Sequence, residues 1–399
     1  MAALPTIDDL DVAGRRVLVR CDLNVPLNDG AVGDDLRIRA AAPTLQALLD
    51  NGARLAVCSH LGRPKGKVVE SLRLAPVGER LGEVLGTEIE TLEEVVGEKA
   101  RAACESDAPV VLLENLRFEP GEESNDPALA DALAALAEAY VDDAFGAAHR
   151  AHASIVGVAE RLPAAAGYLL SDEVEKLERL LHSPDGPFVA VLGGAKVSDK
   201  LSVIGNLLER VDSLCIGGAM AFTLLVARGE EVGKSLVERE RVEEVAAVLA
   251  RADAAGVDIY LPSDVVAADS PDEGAAHDIA LLDEIGDRMG VDIGPETARR
   301  FASVITEAKT VLWNGPMGIF EIDAYADGTR SVADAVAKAT AAGAYTVAGG
   351  GDSAAALAKF DMTDAVSHLS TGGGASLELL EGKELPGVAV LRNKKGDSS

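Results

Sequence analysis

The sequence predicts an α/β protein with parallel sheets covered by helices on both faces, divided into two domains. Three observations carry that prediction. Apolar strand-like runs alternate with helical patterns almost throughout the chain, which is the rhythm of β-α-β units. The chain has 399 residues, more than the ~250–300 at which a single hydrophobic core stops growing. The two halves also carry different chemistry, with arginine and histidine on strand ends and loops in the first and glycine clusters beside a lysine pair in the second.

In the first half, strands are expected at residues 17–21, 55–59, 110–114 and 140–144, each a short apolar run. Helical patterns lie between them, among them 37–50, closed by Asn51 and Gly52, and 127–139. Residues 171–182 form an amphipathic pattern, with Val174, Leu177, Leu180 and Leu181 on one side and Glu173, Glu175, Lys176 and Glu178 on the other. The run Ser183-Pro184-Asp185-Gly186-Pro187 then stops that helix. A helix at the seam is stiffer than a Gly/Ser linker, so motion between domains is expected to be a hinge. In the second half, strands are expected at 188–192, 213–217, 258–261, 310–313, 345–348 and 365–370, with helices at 237–255, 295–307 and 330–342. Ligands of such sheets bind at the carboxyl ends of strands. Most residues singled out below follow strand runs closely, whereas Arg37 opens a helix.

The net charge is −29, a field that repels nucleic acid and anionic membranes and argues against both as partners. It also repels an anionic substrate unless basic groups are gathered locally. There are 13 lysines against 24 arginines; a salt-adapted surface and a codon bias toward Arg and Ala explain this equally well. Cys21, Cys58, Cys104 and Cys215 form no CxxC pair, so neither a zinc site nor a disulfide framework is expected. No apolar run approaches the ~18 residues needed to cross a bilayer. Asp8 and Asp9 stand where a signal peptide needs positive charge, so a cytoplasmic location is expected.

Asp22 and Asn24 lie just beyond the first strand, where Asx side chains also commonly bond their own backbone. The loop Ser59-His60-Leu61-Gly62-Arg63-Pro64-Lys65-Gly66 presents basic groups shaped by glycine and proline, which suits either a solvated loop or an anion. Arg37, Arg117 and Arg150 add guanidinium forks, which match an anion with several oxygens. His149 and His152 have HxxH spacing, but no carboxylate or cysteine cluster completes a metal site.

Residues 193–200, Gly-Gly-Ala-Lys-Val-Ser-Asp-Lys, follow a strand and precede a helical pattern. In that context bare amides approach phosphate. Lys196 and Lys200 are four apart, so on a helical start they share one face. The run 229–235 resembles a P-loop but is one residue short. Gly349, Gly350, Gly351, Asp352 and Ser353 open an Ala-rich helix, where Asp352 is either a cap or a Mg²⁺ ligand beside a phosphate tail. Gly372, Gly373 and Gly374 repeat the design after the next strand. One half suits a small anionic metabolite and the other a nucleotide, the combination expected of a two-domain phosphoryl-transfer enzyme.

Eight ordered blocks, from Val19-Arg20-Cys21-Asp22-Leu23-Asn24-Val25-Pro26 to residues 370–384, resemble phosphoglycerate kinase over essentially the whole chain. The resemblance implies two Rossmann-like domains joined by a helix and hinge: a phosphoglycerate-binding domain at 1–170 to which 384–399 return, a linker helix at 171–186, and a nucleotide-binding domain at 187–383. It implies reversible phosphoryl transfer between 1,3-bisphosphoglycerate and ADP, giving 3-phosphoglycerate and ATP in a closed cleft, by a cytoplasmic monomer using Mg²⁺ with ADP or ATP.

Carried over by position, Asp22, Leu23, Asn24, Arg37, His60, Leu61, Gly62, Arg63, Arg117 and Arg150 bind phosphoglycerate. Lys200, Gly290, Glu321, Gly350, Gly351, Asp352 and Ser353 bind nucleotide, with Asp352 on the metal. Arg37, Lys196, Gly373 and Gly374 are placed at the transferring group. Asp142 departs from the family's common Asn and is expected to put a negative charge near Arg150; Leu23 and Ser353 replace a common Phe and Thr. The alternative of a catalytically silent nucleotide-binding protein predicts loss of Arg37, Lys196 or Asp352, and all three are present. A different small-acid kinase would need a changed set among His60, Arg63, Arg117 and Arg150.

Overall fold

Two parallel sheets organise the chain, each belonging to one of two separately packed units. A computed structural model describes residues 4–396; residues 1–3 and 397–399, which belong to the expected N-terminal domain and its returning segment, lie outside the described residues. The units are Met1–Glu175 with Glu384–Ser399, and Lys176–Lys383.

In the first unit, β1 (Arg16–Cys21) is followed by the short hairpin β2 (Leu27–Asn28) and β3 (Ala31–Val32), then β4 (Arg54–Cys58), β5 (Ile89–Thr91), β6 (Val110–Leu112), β7 (Ala139–Asp143) and β8 (Ala164–Ala166). Its sheet has the order β5-β6-β4-β1-β7-β8, with every pairing parallel. All six residues of β1 are buried, because helices cover both faces; such strands therefore show no alternation of apolar and polar residues. Val19 pairs with Val57 on one side and Val141 on the other, and all three belong to one apolar core with Leu45 and Leu81 from the covering helices. The C-terminal helix Pro386–Gly396 packs in this unit, where the Gly387 amide donates to the Ala148 carbonyl at 2.9 Å.

The second unit contains β9 (Phe188–Leu192), β10 (Ser213–Ile216), β11 (Asp258–Tyr260), β12 (Asp264–Ala268), β13 (His277–Leu281), β14 (Met289–Ile293), β15 (Thr310–Asn314), β16 (Tyr345–Gly349) and β17 (His368–Ser370). Its main sheet runs β11-β10-β9-β15-β16-β17, again all parallel. The chain moves outward from β9, then returns to the other side of β9 at β15. That reversal opens a crevice at the carboxyl ends of β9 and β15, the place where such sheets take ligands. Fully buried Trp313 anchors β15, its indole N–H donating to the Gly315 carbonyl at 2.9 Å.

Several expected boundaries shift. The helix expected to 139 ends at Ala134, because Ala139 already opens β7. The last expected strand shortens to β17, since residues 363–365 form a 3-10 turn. The antiparallel sheet β13-β12-β14 was not anticipated, and neither were the short edge strands β5 and β8. The seam helix spans Tyr168–His182, and Glu173, assigned to its polar side, is buried. Among the described residues no helix is long and apolar enough to cross a membrane.

Candidate functional site

The basic residues of the first unit gather where β1, β4, β6 and β7 end. Asp22 follows β1 directly, and its two oxygens do different work. Oδ1 accepts the Asn24 amide at 3.3 Å, which is the Asx turn, while Oδ2 accepts Arg37 Nη1 at 2.6 Å. Arg37 is the second residue of the helix Leu36–Asp50 and stays half-exposed, so most of its donors remain available. Asn24 Oδ1 accepts the Gly62 amide at 2.9 Å, and Arg117 Nη1 donates to the Gly62 carbonyl at 2.7 Å. Leu23 and Leu61 are buried, and their amides are held by Ser59 Oγ and Asn115 Oδ1. Leu23, Leu61 and Gly62 thus shape the loops from within, whereas Arg63 and Arg150 are exposed at their rim.

A buried layer supports this rim. Arg20, the penultimate residue of β1, donates from Nε to Ser154 Oγ at 2.9 Å, and its Nη2 lies 3.2 Å from His60 Nδ1. A guanidinium only donates, so His60 Nδ1 accepts and the imidazole proton sits on Nε2. Burial, with Arg20, Arg117 and Arg37 nearby, holds His60 well below its ordinary pKa, so it is neutral at pH 7. Ser154 passes the network on to buried Glu122 at 2.6 Å, and His152 lies 3.5 Å from that carboxylate. Of the HxxH pair, His152 is therefore engaged by a buried structural carboxylate. Asp142 corrects the sequence expectation: it is fully buried in β7, and the cation that acts on it is Arg20 rather than exposed Arg150.

In the second unit, Gly193 and Gly194 follow β9 and run against the turn after β15. The Gly194 amide donates to the Pro316 carbonyl, and a Cβ on Gly193 would come within 2.0 Å of that same oxygen. Only glycine permits the approach. Gly350 takes φ +91° at the start of the helix Gly351–Lys359, a region that L side chains rarely adopt. These loops line a cavity of ≈ 360 Å³ that includes Lys196, Lys200, Gly351, Asp352, Ser353 and Gly373. A second cavity of ≈ 380 Å³ shares Gly194, Ala195 and Asp352 with it and is walled largely by apolar groups such as Phe222, Val291 and Met317. Gly290 and Glu321 both line this apolar cavity. A Cβ on Gly290 would lie 2.2 Å from the Phe222 ring, so a larger residue there would displace that wall. Asp292 also lines it, but burial lifts its carboxyl to about 8, which keeps a negative charge out of the wall at neutral pH.

The lysine pair departs from expectation. The helix begins only at Leu201, with Lys200 as its N-cap, so Lys196 and Lys200 project from a loop rather than from one helical face. Lys196 is exposed and Lys200 half-buried. Burial brings the Lys200 ammonium down to about 8, against the pull of Asp352 and Asp199. It stays largely charged at neutral pH, and an anion arriving there would hold that charge more firmly. Ser198 is anchored by Glu238, which accepts its amide at 3.0 Å and its hydroxyl at 2.6 Å. Asp352 sits in the first helical turn and is not its cap, which is Gly350. Ser353 Oγ accepts the Gly315 amide at 2.7 Å, so this side chain pins the turn after β15. The decoy run at 229–235 packs as a turn: the Lys234 amide donates to the Arg288 carbonyl, and Ser235 Oγ accepts the Gly290 amide.

Sequence reasoning passed over Arg20, Asn115, Ser154 and Glu238, which hold other residues in place. The one available signal was the charge of Arg20 inside an apolar strand. Among the described residues no group of three or more His, Cys, Asp or Glu is arranged to hold a metal alone. Two carboxylates, Asp199 and Asp352, nevertheless line the lysine- and glycine-walled cavity, a donor set that fits Mg²⁺, which binds through one or two carboxylates plus substrate phosphates.

Comparison with known proteins agrees with this layout. The sequence profile of the family described as phosphoglycerate kinase matches residues 7–383. A phosphoglycerate kinase of Moorella thermoacetica is 54% identical over 392 residues, covering 98% of this chain and 99% of that protein. One of Thermomicrobium roseum is 54% identical over 389 residues, covering 97% and 98%. The solved phosphoglycerate kinase of Coxiella burnetii superposes with a TM-score of 0.88 at 41% identity, covering 98% of this chain and 99% of that one. That of Pyrococcus horikoshii gives 0.86 at 32% identity, covering 99% and 100%. Profile, sequence and fold agree from end to end, and the chain belongs to the phosphoglycerate kinase family, enzymes of glycolytic phosphoryl transfer.

Proposed function

We propose that the two units divide the reaction between them. The first, with the returning C-terminal segment, takes phosphoglycerate on Asp22, Asn24, Arg37, His60, Arg63, Arg117 and Arg150. The second takes ADP or ATP, with the nucleoside in the apolar cavity beside Gly290 and Glu321 and the phosphates on Lys200 and the amides of Gly350–Ser353. The observation that carries this reading is the pair of cavities sharing Gly194, Ala195 and Asp352. One is apolar enough for a base; the other is lined by lysines and glycines and suits a phosphate tail. Asp352 would hold Mg²⁺, which neutralises phosphate charge when bound. Family membership further suggests a monomer acting in the cytoplasm.

The attacking group is a carboxylate oxygen of 3-phosphoglycerate or, in the ATP-forming direction, a β-phosphate oxygen of ADP. Both are ionised at neutral pH, so no general base is required. The side chains align the reactants and neutralise charge on the transferring phosphoryl. Asp22 orients the Arg37 guanidinium, leaving its other donors for the developing charge, and Lys196 with the amides of Gly373 and Gly374 serves the same group. Because each ligand has its own unit, transfer requires the two to be brought into line with water excluded.

Separate calorimetric titrations test the division. Arg63→Ala should weaken 3-phosphoglycerate binding ~10–100-fold, the worth of a charged hydrogen bond, and leave MgADP unchanged. Lys200→Ala should do the reverse. Loss of both ligands in either variant would contradict the assignment.

A further inference from the structure

The helix Gly351–Lys359 lines the phosphate cavity with its first turn, and its last residue does separate work. The Lys359 ammonium donates to the carbonyls of Phe320 at 2.9 Å and Glu321 at 3.0 Å and lies 2.7 Å from the Asp323 carboxylate. An ammonium has three donors and no acceptor, so this arrangement gives each donor a partner. In return the ion pair holds Asp323 below its ordinary pKa.

The two carbonyls belong to irregular chain between β15 and the 3-10 turn Asp323–Tyr325. That stretch supplies Pro316, Met317, Gly318, Ile319 and Glu321 to the wall of the apolar cavity. Its amides already have partners: Met317 donates to Thr329 Oγ1 at 3.0 Å, and Ile319 to the Val291 carbonyl and Phe320 to the Gly318 carbonyl, both at 2.9 Å. Lys359 is what gathers the carbonyls of Phe320 and Glu321. It does not line the cavity itself. At 1.5 Å per residue, the helix carries the connection ~12 Å from the phosphate cavity to this wall.

We propose that Lys359 is a positioning residue for the nucleoside, so that one helix sets the phosphate site with its first turn and the Glu321 wall with its last residue. This rests on the assignment of the nucleotide to the second unit. A lysine suits the task because its three donors can converge on acceptors from different directions, whereas the planar arginine fork cannot.

The test compares ligands with and without a nucleoside. Lys359→Met keeps an unbranched stem and removes the ammonium. It should weaken MgADP ~3–10-fold, the range of one or two modest hydrogen bonds, and leave Mg-pyrophosphate affinity unchanged. Asp323→Ala removes one anchor at a side chain that is 94% exposed, so folding is not at risk. It should shift MgADP in the same direction by about twofold. Unchanged MgADP affinity in both variants overturns the proposal, as does equal weakening of MgADP and pyrophosphate, which would mark a merely structural lysine. If the unaltered protein bound pyrophosphate as tightly as MgADP, the nucleoside cavity itself would be misassigned, a failure of the underlying reading rather than of Lys359.

Discussion

Replacing Asp142 by Asn exposes the energetic cost of a carboxylate buried beneath the basic loops. Asp142 is fully buried; one oxygen accepts the Ala144 amide at 3.0 Å, and the other has no hydrogen-bond partner among the described residues. Burial lifts its carboxyl from 3.8 to about 6, even though the Ala144 bond and the charge of Arg20 act in the opposite sense. The folded protein therefore holds this proton more tightly than the unfolded chain does. The sign follows: stability falls as pH rises from about 4 through about 6 and is level above that. At 1.36 kcal/mol per pH unit the full cost at neutral pH is about 3 kcal/mol. Asparagine keeps an acceptor for Ala144 and cannot ionise. Any packing cost of the new amide is the same at every pH, so the change in its effect with pH isolates ionisation. Urea denaturation of both proteins at about pH 4 and about pH 8 should show Asp142→Asn gaining about 2 kcal/mol relative to the parent between the two conditions. An effect of the same size at both pH values would show that ionisation of Asp142 carries no such cost.

Three further outcomes follow from the site. Arg37→Ala should lower turnover ~10²–10³-fold and leave the Kd for MgADP nearly unchanged; a near-normal turnover rate in stopped-flow assays would remove Arg37 from the transferring group. Asp352→Asn should weaken MgADP and leave 3-phosphoglycerate binding intact, as calorimetry would report; because Gly350 is the helix cap, thermal stability should barely move, and a large fall in Tm would point to a structural role. With a net charge of −29, kcat/KM for 3-phosphoglycerate should rise from very low salt to a maximum before declining. The Debye length of ~10 Å at 0.1 M screens the long-range repulsion before the contact interactions, and a monotonic fall from the lowest salt onward would show that the local arginines dominate at every distance.

The parallel-sheet architecture was legible because fully buried strands such as β6 and β9 are continuous apolar runs bounded by loops. The antiparallel sheet β13-β12-β14 was not. Four of the five residues of β13 at its edge, His277, Asp278, Ile279 and Leu281, are exposed, so its sequence carries no burial pattern to read. Glycines were informative where backbone crowding demands them, as at Gly193, and the bare charges of the first-unit loops were equally visible. What could not be read was which partner each charge takes. Asp142 lies two residues from the end of an apolar strand run, and only the fold shows that Arg20 faces it. The lysine pair misled because spacing of four implies one helical face only if the helix has already begun, and here it starts at Leu201. Lys359 looks like an ordinary charge at a helix end, and nothing local indicates that it reaches carbonyls 38 and 39 residues earlier in the chain.

Phosphoglycerate and nucleotide are proposed to be held by different units on the named residues. A crystal structure of the protein with 3-phosphoglycerate and MgADP measures this most directly. The phosphoglycerate phosphate should lie within hydrogen-bond reach of Arg63, Arg117 and Arg150, the base between Gly290 and Glu321, and the ADP phosphates on Lys200 and the amides of Gly350–Ser353 with Mg²⁺ at Asp352. Either ligand bound wholly in the other's unit, or an ADP whose base lies outside the apolar cavity, would contradict it.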